Sequence, residues 1–352
     1  MRKGNKHRFM SSDVLYVGVD VHEIESHLAV LEQDGSLVEE RRLPTRELGG
    51  FLSSLPGEKR VAIEATGFVY PVYDRLSSLE GCVVTVANPN RLKLISGSST
   101  KNDRNDARAL GDLLRTDYLP VAHLRDLETR EKLSVVNDRV TYGSRRGELK
   151  GTIKWLLKRK GIEVDSPFSD EGLRRLRELH LQEIDFRLDE LVMVESVVKR
   201  LDSQIEAVAS KDPKAALLDT LPGVAPYTAL FLACVLDDVE RFPDSKHACA
   251  YLGLVPWLDE SADTTRLGHI TKKGDKWLRR NLVECARVAV RKDPHLGEFY
   301  ARLKRRRGER KALIAVARKL VSYAYWMLKR NTTYEGLSPW KLTWGDNPRG
   351  SE

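Results

Sequence analysis

Strand-like runs fill the first third of the chain and restrict the fold that it can adopt. They are VLYVGVDVH from Val14, SHLAVLEQDG from Ser26, SLVEERRLP from Ser36, RVAIEATG from Arg60 and CVVTVANP from Cys82. Each run combines β-branched and apolar residues over the length of a strand. Turn residues separate the first three runs, and helix-length stretches separate the later ones. This order predicts an α/β domain whose sheet begins as a three-stranded meander.

Acidic residues stand where two of these strands end and near the start of a later helix. Asp20 closes VLYVGVD, Glu64 closes RVAIE, and Asp103 and Asp106 share the segment KNDRNDARAL. On a helix, a spacing of three residues places both acids on one face. Acids on the first strand, the fourth strand and a late helix follow the order of a ribonuclease H-like sheet.

Four clustered carboxylates raise each other's pKa unless a cation neutralises them. Hard divalent ions such as Mg²⁺ take oxygen ligands, and a pair of them can stabilise the attacking and leaving oxygens at a phosphodiester. The four acids are therefore candidate metal-binding and catalytic residues. Taken singly, each acid also fits an ordinary place at a helix N-terminus or a strand end.

Basic residues concentrate in the C-terminal third. From Arg266 to Arg330 there are 20 Lys and Arg against 5 Asp and Glu, a local charge of +15 in a chain whose net charge is +8. The rest of the chain is therefore acidic, and the basic third predicts a phosphate-rich partner. The candidate nucleic-acid-binding residues are Arg266, Lys272, Lys273, Lys276, Arg279, Arg280, Arg305, Arg306 and Arg307.

A long charged segment from about 124 to 208 has a helical period. Apolar residues keep spacings of three and four at Ile184, Leu188, Leu191, Val194, Val198, Leu201, Ile205 and Val208. This spacing predicts a coiled coil or a long helical hairpin with its turn at 161–169. A dimerising stalk and an intramolecular helix pair produce the same pattern, so both stay open. The predicted domains are 14–120, 121–212 and 213–335, with flexible tails at 1–13 and 336–352.

Composition excludes several classes of protein. No apolar run approaches the ~20 residues of a membrane span, and the basic N-terminus lacks the apolar core of a signal peptide. The four cysteines are widely spaced without a CxxC pair, which predicts reduced thiols and no zinc site. These features predict a cytoplasmic protein without a membrane partner.

The segment after 244 contains a candidate nucleophile. Ser261 lies in a predicted loop with Arg266, Lys272 and Lys273 close behind it. Cations can hold a phosphate and stabilise developing charge while a hydroxyl attacks. No neighbouring His or Lys is an obvious base, and taken alone Ser261 is an ordinary solvated loop serine. Upstream, LPGV at 221–224 resembles the hairpin of a helix-hairpin-helix element, whose amides contact phosphate, although Pro-Gly before a helix is also common punctuation.

The motifs GVDVH, IEATG, KNDRNDA, LPGV and YLGLVPWLDESADTTRLGHITKKGDKWLR together resemble the DEDD transposases of the insertion-sequence 110 family, which also includes a pilin-gene invertase. The resemblance extends from about residue 14 to 330. It implies a RuvC-like domain in which Asp20, Glu64, Asp103 and Asp106 bind Mg²⁺, a helical coiled-coil stalk, and a mostly helical C-terminal transposase domain. In that domain, Ser261 would attack DNA and form a covalent phosphoserine link.

The resemblance also implies partners. They are donor and target DNA, a noncoding bridge RNA, and further copies of the chain in a homodimer or homotetramer, in the nucleoid of a prokaryotic cell. The chain departs from the usual family pattern at Glu260, where a first serine is common, and at His269, where an arginine is usual.

Two other functions fit the same residues. A Mg²⁺ nuclease of the Holliday-junction type would use the four acids with water as the nucleophile and would not need Ser261. A catalytically decayed nucleic-acid-binding protein would need neither the acids nor the serine.

Overall fold

The structure, a computed structural model, describes residues 14–89, 91–92, 103–261 and 264–338. For 103–105, 258–261 and 264–267 it describes the backbone alone. The chain divides into two compact units, Met1–Leu124 and Arg125–Glu352. The division lies near the predicted domain boundary at 120. The predicted tails fall outside the described residues, apart from 336–338.

The first unit is built on a five-stranded mixed sheet with the order β3-β2-β1-β4-β5. β1 pairs antiparallel with β2 and parallel with β4. Of the outer pairs, β2–β3 is antiparallel and β4–β5 is parallel. All five predicted runs form strands, which confirms the α/β prediction for this unit. The elements are β1 Val14–Val21, β2 Glu25–Leu31, β3 Leu37–Pro44, α1 Leu48–Ser54, β4 Glu58–Glu64, α2 Val69–Ser77, β5 Cys82–Ala87 and α3 Asp103–Arg115.

The sheet is covered on both faces, which explains the nearly continuous apolar sequence of its central strand. One face of β1, with Leu15, Val17 and Val19, packs with residues of α1 and α2 in the main core of the unit. On the other face, Ala62 packs with Leu110 of α3. Helices α1 and α2 therefore lie on one side of the sheet and α3 lies on the other.

The second unit is mostly helical, as predicted. Its elements are α4 Leu127–Arg159, α5 Asp170–Glu178, α6 Gln182–Ala209, α7 Pro213–Asp219, α8 Pro226–Leu236, α9 Ser245–Tyr251, β6 Pro256–Ser261, β7 Thr264–Ile270, α10 Lys276–Lys292, α11 Pro294–Arg307, α12 Glu309–Arg330 and α13 Tyr334–Leu337. Helix α8 is buried on every side, in keeping with its uniformly apolar sequence. None of the helices that the structure describes is both long and apolar enough to cross a membrane.

The predicted helical seam of α6 packs within the chain. Ile184, Leu188 and Leu191 join Ile153 and Leu157 of α4 in one buried cluster. Six of the eight seam residues are buried, while Leu201 and Val208 are half-buried. The connection at 161–169 leads into the short helix α5, so the hairpin is longer than the predicted single turn. A dimerising role for the same helices stays a prediction.

Candidate active site

Asp20 and Glu64 lie beside each other at the carboxyl ends of two adjacent parallel strands. Val19 of β1 is paired with Ile63 of β4, and the two acids are the next residues along. Neighbouring strands are ~4.8 Å apart, so both carboxylates leave the sheet at the same edge. Strand alternation places both on the face opposite the main core, and both are half-buried.

Helix α3 covers that face and meets β1 at Gly18. A Cβ built on Gly18 would lie 1.8 Å from the carbonyl oxygen of Ala107 and 2.4 Å from the amide nitrogen of Gly111. Real Cβ atoms essentially never approach other atoms this closely. Glycine is therefore required at position 18, because the helix backbone occupies the space of a side chain.

The last turn of α3 lies near the start of β1. Arg115 donates from Nη1 to the backbone oxygen of Gln33, at 3.3 Å. The side chain of Gln33 accepts a hydrogen bond from Tyr16 in the first half of β1, at 2.8 Å. The helix therefore runs antiparallel to β1, and its N-terminus points toward the end of β1 that carries Asp20.

This direction brings the first turn of α3 to the level of Asp20. The helix rises ~1.5 Å per residue, so Asp106 and Asp103 precede its contact with Gly18 by about 5 and 9 Å. The strand rises ~3.3 Å per residue, so Asp20 lies about 7 Å beyond Gly18 in the same direction. The backbone therefore brings Asp20, Glu64 and Asp106 into one region, with position 103 one turn of helix before Ala107.

The side chain of Asp103 lies outside the described residues, so the full set of four carboxylates is not seen. Among the side chains that the structure describes, no group of three or more His, Cys, Asp or Glu is arranged to hold a metal ion. The donor chemistry nevertheless fits Mg²⁺, because every predicted ligand is a carboxylate. Asp106 also lies in the first helical turn, where the helix dipole stabilises negative charge.

The structure adds His22, which sequence analysis missed. Its Nε2 lies 3.2 Å from Oδ2 of Asp20, and the two side chains are 56% and 15% exposed. The available signal was the spacing in GVDVH, because residues two apart on a strand share a face and His22 directly follows the end of β1. An imidazole at this distance can orient the carboxylate or exchange a proton near it.

The second predicted group of residues begins at a β-hairpin in the other unit. Ser261 is the last residue of β6 and is paired with Thr264 of β7. The segment thus forms a hairpin where a loop was predicted, and Ser261 stands at its tip. Residues 262–263 and the Ser261 side chain lie outside the description.

The hairpin register separates Ser261 from Glu260. Asp259 is paired with Arg266, and Glu260 is paired with Thr265. Because strand positions alternate between faces, positions 259, 261, 264 and 266 share one face and Glu260 falls on the other. Position 260 therefore lies on the face opposite position 261.

The basic segment after the hairpin is attached to the turn that follows α9. Thr271 and Lys272 donate backbone hydrogen bonds to Val255 and Gly253, at 2.9 and 3.2 Å. Arg279 binds the backbone oxygens of Lys273 and Gly274, and burial lowers the pKa of its guanidinium. Arg279 therefore positions this segment, and its predicted contact with nucleic acid stays untested.

The other predicted cations of the C-terminal unit are accessible where the structure describes them. The side chain of Arg266 lies outside the description. The rest are exposed on the turn before α10, along α10 and at the end of α11, namely Lys272, Lys273, Lys276, Arg280, Arg305, Arg306 and Arg307.

The Pro-Gly turn at 221–224 packs against α10. A Cβ on Gly223 would lie 2.5 Å from the carbonyl oxygen of Cys285 and 2.8 Å from the amide nitrogen of Ala289. Gly223 also has a φ of 78°, which favours glycine. These contacts give the motif a packing role, and its predicted contact with phosphate stays a prediction.

Two family models match the chain. Residues 17–160 match a DEDD transposase model of the IS110 group, described as "Transposase". Residues 215–301 match the model described as "Transposase IS116/IS110/IS902 family". The first range contains Asp20, Glu64, Asp103 and Asp106, and the second contains Ser261.

Two curated transposases match this chain over most of their length, and a curated gene-inverting protein matches it over less than half. The transposase for insertion sequence element IS1111A of Coxiella burnetii is 24% identical over 94% of this chain and 93% of its own. The transposase for insertion sequence element IS1328 of Yersinia enterocolitica is 25% identical over 92% of this chain and 99% of its own. The pilin gene-inverting protein of Moraxella lacunata is 28% identical over 39% of this chain and 45% of its own.

Proposed function

We propose how this chain acts on DNA, starting from its family. The chain belongs to the IS110 family of transposases. The proposed function is to cut and rejoin DNA strands at the ends of an insertion sequence, through a covalent link between DNA and Ser261. Its main support is the meeting of β1, β4 and the N-terminus of α3 at one edge of the sheet. Four carboxylates that are far apart in sequence occupy those three elements.

In this proposal the carboxylates of Asp20, Glu64, Asp103 and Asp106 would hold Mg²⁺ for the reaction at the phosphodiester. Bound there, Mg²⁺ would neutralise the phosphate oxygens and stabilise the developing charge. The protein contributes a fixed frame, because two of the acids extend from the central sheet and two from a helix in direct backbone contact with it. His22 would orient the Asp20 carboxylate.

Ser261 is the proposed nucleophile. Its Oγ forms a bond to phosphorus while the bond from phosphorus to the 3′ oxygen breaks. The serine loses a proton, and the departing 3′ oxygen gains one. Lys272 and Lys273 lie exposed beyond the hairpin, where they are able to hold the DNA backbone. The phosphoserine bond conserves the energy of the broken phosphodiester, so rejoining needs no ATP.

The proposed partners are donor and target DNA and a noncoding guide RNA, with several copies of the chain in the working complex. Base pairing by the RNA would select the sequences. The basic C-terminal third, from Arg266 to Arg330, would bind the phosphate backbones of the DNA and RNA without recognising individual bases.

The test expresses the gene with its native flanking DNA and amplifies across the flanks for a circular excised junction. Wild type is expected to form the junction, and Ser261→Ala and Asp20→Asn are expected to lose it. Matched controls are Ser203→Ala and Asp138→Asn, which change exposed residues of α6 and α4. A junction in Ser261→Ala would contradict the proposed nucleophile.

Two further measurements separate the serine step from the metal step. A covalent protein–DNA adduct on a denaturing gel is expected for wild type and absent for Ser261→Ala. Addition of Mg²⁺ is expected to raise the thermal midpoint of wild type but not of Asp20→Asn. DNA cleavage by Ser261→Ala without an adduct would instead identify a nuclease that uses water.

A further inference from the structure

A cleft of about 750 Å³ opens in the helical unit, and none of the residues that line it belongs to the hairpin that carries Ser261. Its walls come from α4, the start of α8 and the first turns of α10. The side chains that define its chemistry are Arg139, Arg146, Tyr227, Trp277, Arg280 and Asn281. This volume falls within the range of ligand-binding sites in proteins.

The cleft is positively charged. Arg146 and Arg280 have no acidic partner among the described side chains, and Arg280 is exposed. Its two acidic residues are both paired with arginines outside the lining. Glu148 lies 3.4 Å from Arg145, and Glu284 lies 3.5 Å from Arg287. Two arginines therefore remain available to an anion.

The cleft also contains aromatic rings bordered by guanidinium groups. The Arg280 guanidinium lies 6.0 Å from the centre of the Trp277 ring. The Arg139 guanidinium lies 5.3 Å from the centre of the Tyr227 ring and also forms an ion pair with Asp202, at 2.5 Å. Arg139 is thus occupied. The Trp277 ring, with Lys276 Nζ 5.1 Å from its centre, combines an aromatic surface with two cations, Lys276 and Arg280.

A polar side chain in the wall lacks part of its hydrogen bonding. Asn281 shares a hydrogen bond with Tyr227, while its Nδ2 is buried and has no acceptor among the described residues. Burial also raises the pKa of the Tyr227 hydroxyl. A buried donor without an acceptor destabilises the folded protein unless a bound group accepts its hydrogen bond. A bound acceptor would do so after a small movement of the side chain.

We propose that this cleft binds a segment of single-stranded nucleic acid, with a phosphate held by Arg146 and Arg280 and a base stacked on Trp277. Only a single strand presents the face of a base to an aromatic ring, so the chemistry favours it over a duplex. The inference rests on the proposed function in that its ligand is a nucleic acid. It adds a site built from residues other than the four carboxylates and Ser261.

Photocrosslinking locates the ligand directly. The full chain is irradiated with single-stranded 12-mers that carry 5-iodouracil, one set of RNA and one of DNA, and the adducts are mapped by mass spectrometry. The expected adduct is at Trp277 or Tyr227, and the oligomer that forms it identifies the ligand as RNA or DNA. Adducts only at residues outside the cleft would overturn the proposal.

Binding by variants tests the energetic contribution of the cleft. Trp277→Leu is expected to weaken binding of the 12-mer about tenfold, in line with the loss of one stacked base. Its control is Trp155→Leu, which removes an exposed tryptophan of α4 outside the cleft. Because Trp277 is half-buried, the Arg146→Ala/Arg280→Ala double variant provides a second test that leaves the core intact.

Salt dependence separates phosphate contacts from stacking. The double arginine variant is expected to weaken binding at least tenfold and to reduce the slope of log K against log salt by ~0.7, the value for one phosphate contact on a single strand. The Lys199→Ala/Arg200→Ala control removes the same charge from the exposed side of α6 and should change binding less than threefold. Equal losses in both double variants would overturn the proposal.

The outcome is independent of the recombination assay. Unchanged 12-mer binding by the cleft variants, with normal junction formation by wild type, would refute the cleft and leave the proposed function standing. Loss of binding by those variants, with no junction from wild type, would support the cleft and count against the proposed function.

Discussion

The contact between Gly18 and α3 leads to a sharp prediction for Gly18→Ala. The added Cβ would lie 1.8 Å from the Ala107 oxygen, whereas ordinary contacts begin at 3.4 Å. Helix α3 must therefore retreat by about 1.6 Å, or β1 must bend by a similar amount. Overpacking of this kind costs ~1–3 kcal/mol, sometimes more. The same movement takes Asp106 away from Asp20, and ~1 Å of misplacement in a catalytic group can cost ~100-fold in rate.

The assay measures the thermal midpoint and the yield of excised junction for Gly18→Ala. We expect the midpoint to fall by roughly 5 °C or more, and the junction to become undetectable even at temperatures where the variant remains folded. The control is Gly50→Ala, because a Cβ at this exposed position of α1 meets nothing within 4 Å. A Gly18→Ala variant with wild-type stability and junction yield would refute the close packing of α3 on β1.

Other predictions concern the helical unit. Lys132 lies 2.6 Å from Asp212, whose side chain is 8% exposed. Burial alone would raise the pKa of Asp212, but its hydrogen bond with Lys132 lowers that pKa overall. The pair therefore stabilises the fold above the ordinary pKa of Asp, and the effect is lost as pH falls through the lowered value. We expect Lys132→Met to lower the free energy of unfolding in urea by ~2–4 kcal/mol at pH 7 and by less at pH 4, where the unpaired Asp212 is protonated. An equal loss at both pH values would contradict this explanation. Gly147→Ala, in an exposed part of α4 with nothing within 4 Å of the new Cβ, should stabilise the protein by up to ~1 kcal/mol in the same assay, and a loss would show a contact at this position. Burial raises the pKa of Cys234 and of Cys249 to about 12. We therefore expect mass spectrometry to find neither thiol alkylated by iodoacetamide at pH 8 until the protein is unfolded. Rapid labelling of the folded protein would show that the core around them opens.

The sequence alone predicted the local elements of the first unit well. Apolar alternation and turn residues identified five strands, and the structure confirms all five. Helical spacing likewise identified the buried residues of α6, including Ile184 and Leu188. These predictions succeed because the period of a strand or a helix is imposed by the residues next to one another in the chain.

The partner of each helical face could not be predicted in this way. The period of α6 is the same whether it packs on α4 of its own chain or on another copy. The structure shows packing on α4, through Ile153 and Leu157. Likewise, the Gly- and Pro-containing segment around Ser261 was predicted as a loop, and its cross-strand pairing with Thr264 appears only in three dimensions.

For the candidate carboxylate site, too, the sequence predicted the local positions of the acids and the tertiary structure showed how they come together. The sequence determined that Asp20 and Glu64 end strands and that Asp106 lies in a helix, because each depends on neighbours along the chain. Only the tertiary structure decided that β1 and β4 are adjacent and that α3 runs antiparallel to β1 across Gly18. Sheet order and helix direction depend on contacts between residues far apart in sequence. The spacing of apolar residues within one strand or helix carries no information about those contacts.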